Sequence, residues 1–375
     1  MGKLLGIKDF KGGFTIKADT LAGTVIFPAE KITERLQEVL YCGNSEVDQI
    51  LSYLLENSGK MLRPRMVYLS GSLYPHDDDS LTDIAAALEL IHMASLVHDD
   101  IIDNSQLRRG QPSINQRWGN QVGVLTGDFL FASAFNLISR CQQPRIMENV
   151  TDTIKIMCSG EIKQMGMLFD LNLSEADYYD KTYRKTACLF ASSCKAGAML
   201  SQAPEQEIMM LEQFGLNLGY AYQIIDDVLD FVSDSSLLGK PAASDLRQGN
   251  ITLPVILALK DSKYGKKLRS LLQSNSGSPR KLKEIQTILE ATGALQESVR
   301  LSRRYLELGL NLLEEFRLNP VIEEMKRLSR YLLEGYYKKL DTSVGQPLLM
   351  VSAEEDLFAK SPLDEKITAD YRDYN

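Results

Sequence analysis

The sequence predicts an all-helical fold of about ten to twelve helices. From Ala29 to Lys339 apolar residues recur at intervals of three and four, as in ITERLQEVL and VDQILSYLLENS. No segment alternates strand patterns with helical ones, which argues against a parallel α/β sheet. Helix-breaking clusters divide the pattern at Gly59, Tyr74–Asp79, Asn104–Pro112, Gln142–Pro144, Asn172–Ser174, Ala203–Pro204, Ser233–Asn250, Ser274–Pro279 and Asn319–Pro320. Length alone would suggest two domains. The unbroken helical pattern points instead to one helical domain over residues 29–340 with an extra segment at each end.

Residues 1–28 read poorly as helix. GGFTIKADTLAGTVIFP mixes glycine, threonine and β-branched residues in partial alternation, which fits a short strand pair or an irregular arm. The first helices follow from Ala29. GKMLRP then places Lys60 and Arg63 beside Pro64, a residue suited to a first helical turn, so both cations would stand near a helix N-terminus, a natural anion site. Residues 341–375 are polar and acidic with little periodicity, and fit a mobile tail or a segment that binds a partner.

Two later helices carry the chemistry. LELIHMASLVHDDIID ends in Asp99, Asp100 and Asp103, and GYAYQIIDDVLDFV holds Asp226, Asp227 and Asp230, 127 positions further on. Aspartate is a mediocre helix former, and like charges four apart destabilise a helix by a few tenths of a kcal/mol even in water. Carboxylates facing drier surroundings are worse unless cations neutralise them. At about 100° per residue the first and third aspartates of each motif share a face. A single acidic triplet is commonly a solvated helix end. Two copies, each after a long apolar run, point to hard divalent cations, above all Mg²⁺, which takes one or two carboxylates and completes its octahedron with water and phosphate. No wider self-similarity links the two motifs, so they read as halves of one site.

Basic residues surround these motifs in the chain. Arg108 and Arg109 lie in the loop after the first one, and YRKT and LGKP add Lys185 and Lys240. Arginine suits bidentate phosphate binding and lysine acts as a point charge. Singly, each would be read as solvated. As a set they supply a second, metal-free phosphate site beside the metal-bound one. His92, two turns before Asp99, is by default a satisfied core histidine, and becomes a phosphate donor if Lys60 and Arg63 approach it.

Composition bounds the rest. The 375 residues are 44% hydrophobic and 25% charged, with a net charge of −8, so no global attraction to nucleic acid or an anionic membrane is expected. Five cysteines (Cys42, Cys141, Cys158, Cys188, Cys194) show no metal or redox spacing and read as reduced thiols. The first residues lack a signal-peptide core and the hydroxyl residue of a myristoylation site, and no run of 18 apolar residues exists, so no spanning helix is expected.

The segments GKMLRP, LIHMASLVHDDIIDNSQLRRG, GDFLFA, RKTA, YQIIDDVLDFV, LGKP and DLRQGNITLP together resemble the trans-isoprenyl diphosphate synthases, the polyprenyl synthetase family, over residues 30–340. The bacterial heptaprenyl-type synthases are the most similar group. The resemblance implies an isoprenoid-synthase-type bundle around a deep central cavity, a cytoplasmic homodimer, and about three Mg²⁺ ions per site held by Asp99, Asp100, Asp103, Asp226, Asp227 and Asp230. It implies that Arg108, Lys185 and Lys240 hold an allylic diphosphate, with Thr186 and Gln223 lining its site. Lys60, Arg63, His92 and Arg109 would hold isopentenyl diphosphate. Two departures appear: Ser58 precedes Gly59 where the family often has a second glycine, and Asn250 stands where many relatives have lysine.

The implied reaction is a 1′–4 condensation through an allylic cation, with departing pyrophosphate as the base and no protein nucleophile. Chain length would be set below the first aspartate motif, at about 5.4 Å per turn. Ala94 and Ser95 lie one turn below Asp99, and Ile91 a further turn down. Short-chain relatives carry bulky aromatics near the first level. The small residues here predict roughly C30–C40 products of the type used for quinone side chains, against the alternative of a floor elsewhere and a C15–C20 product. Such a product implies transient contact with the inner face of the membrane. A class I terpene cyclase would carry a mixed Asn, Ser or Thr, and Glu second motif in place of DDVLD. A regulatory subunit tends to lose Asp-motif or basic residues, which are retained here. A catalytic subunit working with a small partner stays open.

Overall fold

A computed structural model describes residues 26–56, 59–232, 243–274 and 278–343. Most of the expected arm, most of the expected tail, Ser58 and Lys240 lie outside the described residues. The helices are α1 (Ala29–Leu40), α2 (Ser45–Glu56), α3 (Leu62–Gly71), α4 (Asp78–Ile102), α5 (Ile114–Trp118), α6 (Asn120–Arg140), α7 (Pro144–Met165), α8 (Glu175–Thr182), α9 (Cys188–Leu200), α10 (Glu205–Val232), α11 (Ser244–Arg247), α12 (Leu253–Leu259), α13 (Gly265–Gln273), α14 (Pro279–Ala291), α15 (Ala294–Glu314) and α16 (Pro320–Ser343). Eleven of these run to ten residues or more, and the surplus over the sequence expectation lies in short pieces such as α5, α11 and α12. The last helix runs three residues into the segment expected to be tail. Strand occurs among the described residues only as a two-residue pair, Leu107–Arg108 (β1) with Gln111–Pro112 (β2).

The helix ends follow local chemistry. Asp77 caps α4 by accepting from the Ser80 amide at 2.8 Å, and Asp78 and Asp79 favour the positive end of that helix. Ser174 and Asp177 form a reciprocal capping box at the start of α8. Pro144, Pro254 and Pro279 occupy first turns, where a missing amide hydrogen costs nothing.

Two long helices dominate. α4 buries almost every residue from Leu81 to Ala94, and α10 buries sixteen of its twenty-eight, among them Phe214, Ile224 and Val228. Both pack on α9, α4 also packs on α3 and α6, and α3 packs on α9. Close helix approach is built in at glycines. A Cβ on Gly197 of α9 would strike the Val67 carbonyl of α3, and one on Gly215 of α10 would come within 2.6 Å of the Phe190 carbonyl of α9. Two apolar clusters form the core, one around α4 and α6 and one around α10 and α15. α4 and α6 are long and apolar enough to cross a membrane by length and composition, although neither holds 18 apolar residues in a row. The apolar window of α4 is 78% buried as a core helix, whereas that of α6 is 39% buried.

Candidate active site

The first aspartate motif closes α4. Asp103 ends the helix, with its amide donating to the Asp99 carbonyl at 2.8 Å, and Asn104 turns the chain in the left-handed region. The hairpin that follows has Arg109 (φ 53°) and Gly110 (φ 77°) as its two central residues, the backbone signature of a type I′ turn. It folds back so that Arg108 Nη2 and Nε donate to the Asp100 carboxylate at 2.5 and 3.1 Å. Asp100 and Arg108, expected to serve metal and diphosphate respectively, are thus paired with each other here.

The second motif lies near the end of α10. Asp227 is buried and accepts from the Tyr178 hydroxyl at 2.6 Å and from Gln223 Nε2 at 2.8 Å. Asp230 accepts from the amides of Ser244 and Asp245 at 3.1 Å each. Asp226 is exposed.

A turn of π-helix, Tyr183–Ala187, joins α8 to α9 and links the motifs. Such turns re-aim side chains and recur at functional sites. Lys185 donates to Glu161 of α7 at 3.0 Å, in the field of Asp99 and Asp103. Its neighbour Thr186 donates to Gln223 at 2.6 Å, and Gln223 in turn contacts Asp227. A hydrogen-bonded line therefore runs from Thr186 through Gln223 to Asp227, and Lys185, next in the chain to Thr186, brings its charge into the field of Asp99.

Electrostatics mark this line as short of cations. Burial pushes the Asp99 carboxyl up to about 7, Glu161 and Asp103 push the same way, and Lys185 opposes them. Asp227 and Asp230 are raised by burial and by the neighbouring Asp245, against Lys181 for the first and two backbone amides for the second. Burial alone would lower Lys185, yet Asp99 and Glu161 outweigh it and raise its affinity for a proton. Among the described residues no three His, Cys, Asp or Glu side chains converge to hold an ion by themselves. The donors are hard oxygens whose buried charge is incompletely neutralised, so they fit a cation that keeps water and phosphate oxygens in its shell, as Mg²⁺ does.

The second cationic group lies on α3, α4 and the hairpin. Arg63 Nη1 is 3.3 Å from His92 Nε2 and its guanidinium stacks on Phe190 at 4.5 Å. Burial, with Arg63, Arg109 and Arg108 nearby, holds His92 well below the usual imidazole range. It is neutral at physiological pH and accepts from Arg63 at Nε2. Arg109 lies against Gly59, where a Cβ would strike its guanidinium. Lys60 donates to the Tyr336 hydroxyl of α16 at 3.1 Å. A pocket lined by Glu89, His92, Asp100, Arg108 and Arg109 connects this group to the first motif. His98, by contrast, contacts the Val124 carbonyl of α6 at 3.1 Å.

Below the first motif, Ile91 and Ala94 are fully buried in the α4 core, and Ser95, partly exposed, donates to the His92 carbonyl at 2.9 Å. The sequence reading missed Glu161, Lys181, Asp245, Tyr178, Tyr336 and Glu89. Glu161 and Lys181 sit on amphipathic helices and look like solvated charges in sequence. Tyr178 and Tyr336 carry no motif.

A family model described as polyprenyl synthetase matches residues 44–289. The chain belongs to the polyprenyl synthetase family. It is 36% identical over 304 residues to heptaprenyl diphosphate synthase component 2 of Geobacillus stearothermophilus, covering 80% of this chain and 93% of that one. Among solved structures, heptaprenyl diphosphate synthase from Staphylococcus aureus superposes with a TM-score of 0.77 at 32% identity, covering 82% of this chain and 96% of that one. A polyprenyl synthase from Caulobacter crescentus, complexed with calcium and isoprenyl diphosphate, gives 0.77 at 31% identity over 81% and 94% of the two chains. The all-α fold and the prenyltransferase class expected from sequence both stand.

Proposed function

We propose that this polyprenyl synthetase adds isopentenyl diphosphate 1′–4 onto an allylic diphosphate, repeatedly, to give an all-trans product of roughly C30–C40 for quinone side chains. The observation that carries the reading is the pairing of two unlike anion sites. One, from Asp99 through Lys185, Thr186 and Gln223 to Asp227, has an excess of carboxylate and suits a diphosphate delivered with metal. The other, made by Lys60, Arg63, His92 and Arg109, is cationic and suits a diphosphate without metal.

We assign Asp99, Asp103, Asp226, Asp227 and Asp230, with Asp100 after its release from Arg108, to about three Mg²⁺ ions. When bound, these ions would supply Lewis-acid charge to the leaving diphosphate. Lys185, held by Glu161, places a fixed positive charge beside the same group, and Thr186 and Gln223 orient it. Arg108 and Lys240 complete the allylic set. The second site holds isopentenyl diphosphate with its double bond toward the allylic carbon. As the C1–O bond breaks, that double bond forms the new C–C bond, and the departed diphosphate takes the proton. The apolar walls of α3, α4 and α9 keep water from the cation.

Ile91, Ala94 and Ser95 set product length in this reading. The exposed Val124 and Leu125 of α6 and Ile162 and Met165 of α7 support a homodimer as the working unit. A small partner subunit is the second reading, favoured by the "component 2" in the name of the Geobacillus relative. The reading carries with it a cytoplasmic enzyme that touches the inner face of the membrane at product release. The test is product analysis with Mg²⁺, farnesyl diphosphate and labelled isopentenyl diphosphate. A ladder ending at C30–C40 supports the reading, and a single C15 or C20 product overturns the chain length.

A further inference from the structure

Glu89 of α4 is one of the most deeply buried charged side chains among the described residues, at 2% exposure. It stands one turn before His92 and lines the same pocket as His92 and Arg109. Its Oε2 atom has no hydrogen-bond partner, and neither does the buried Nε of Arg63. An acceptor and a donor of opposite charge thus lie orphaned in one small cluster. A buried polar group left in this way costs about 1–3 kcal/mol, more if charged. A buried carboxylate with one unpartnered oxygen in the wall of a cation-lined pocket points to a role beyond packing.

The alternatives within the cluster are limited. Asp100, also in this wall, is already engaged by Arg108. His92 is neutral and accepts from Arg63, so it adds no negative charge. Arg63 and Arg109 repel each other, and Glu89 is the carboxylate whose field reaches both. Arg109 is moreover held in left-handed backbone at the tip of a two-residue turn, so its side chain departs from a strained position. Burial pushes the Glu89 carboxyl up, and Arg63 and Arg109 oppose that, so the two guanidinium groups sustain the one carboxylate that offsets their mutual repulsion while the ligand is away.

We propose that Glu89 is a positioning residue of the metal-free diphosphate site, its buried carboxylate aligning the guanidinium groups of Arg63 and Arg109 for the incoming isopentenyl diphosphate. The inference rests on the assignment of Lys60, Arg63, His92 and Arg109 to that substrate. Glu89 touches no substrate and acts through the two arginines. Its negative charge slightly opposes the diphosphate, but preorganising two donors outweighs one distant repulsion.

The test is Glu89→Gln, which keeps the shape and removes the charge. The KM for isopentenyl diphosphate should rise about tenfold, while kcat and the KM for farnesyl diphosphate stay within about twofold. In an Arg109→Gln background the same change should add less than about twofold, because the two act as one unit. A KM that is unchanged or lower, or an effect that multiplies fully in the double variant, overturns the proposal. Should Glu89→Gln fail to fold, Glu89→Asp carries the test: a rise confined to the KM for isopentenyl diphosphate supports it, and an even loss in all parameters overturns it. Binding of inorganic pyrophosphate in EDTA, measured by calorimetry, separates this inference from the functional reading. A parent enzyme inactive on its own would count against a self-sufficient synthase, and pyrophosphate affinity would still decide for Glu89: weaker binding by Glu89→Gln than by the parent supports the proposal, and equal or tighter binding overturns it.

Discussion

At the scale of single residues, the carboxylates divide by what surrounds them. Asp227 is buried and already doubly hydrogen-bonded, whereas Asp226 on the same turn is exposed. Asp227→Ala therefore removes a proposed metal ligand and also strands the Tyr178 hydroxyl and the Gln223 amide. Activity should fall at least about a thousandfold, the several kcal/mol that metal-assisted charge stabilisation supplies. The melting temperature should fall with it. Asp99→Ala should match the loss of activity with little loss of stability, since burial disfavours the Asp99 charge in the metal-free chain. Initial rates and thermal melts on the two variants check this, and an active Asp99→Ala enzyme would remove the first motif from the mechanism. Ala94→Phe is the matching test of the proposed control of chain length. Ala94 is fully buried, so the added ring must fill the space beneath Asp99 or disturb α4. A folded variant should give shorter products by chromatography. Unchanged length would place the floor elsewhere.

At the scale of elements, the hairpin between α4 and α5 is latched at its far end. The Tyr53 hydroxyl of α2 donates to the Pro112 carbonyl at 2.7 Å, and the Arg117 guanidinium stacks on both Tyr53 and Trp118. Tyr53→Phe removes one hydrogen bond of about 1 kcal/mol, so the hairpin should sample open states about fivefold more often. The KM for isopentenyl diphosphate should rise by a similar factor, and faster hydrogen exchange at Arg108–Gln111 should accompany it. A Tyr53→Phe enzyme with wild-type KM would mean that the hairpin holds itself. The α3–α9 contact is less forgiving. Gly197→Ala pushes a methyl into the Val67 carbonyl, and should lower stability by about 1–3 kcal/mol in a thermal melt. These elements also show what a sequence can carry. The aspartate motifs and the breaks around them were legible, because charge within an apolar period is a local signal. The π-helical turn at Tyr183–Ala187 was not, since it is a bulge within the continuous helix from Glu175 to Leu200, where that helix packs against α7 and α10, and carries no residue-type signal. Glu161 escaped for a related reason. On an amphipathic helix it looks like any solvated glutamate until the fold brings Lys185 to it.

At the scale of the whole molecule, the site is assembled from helices that meet only in the folded chain: α3, α4, α7, α9 and α10, with α16 reaching in through Tyr336. The helices that carry the two aspartate motifs are tied together by α9, which packs against both α4 and α10. Ligand binding should therefore stabilise the entire bundle, by an amount that grows with ligand concentration over Kd. Mg²⁺ alone meets carboxylates that do not converge, and a diphosphate alone meets uncompensated carboxylates. Each should shift the melting temperature slightly, and the two together by more than the sum. Additive shifts would mean that metal and diphosphate bind apart, against the single metal-diphosphate site proposed. The same experiment bears on subunit composition. A self-sufficient homodimer gives this synergy and turns over in the purified state. A subunit awaiting a partner gives the synergy without turnover, because the proposed diphosphate sites lie within this chain while turnover waits on the partner.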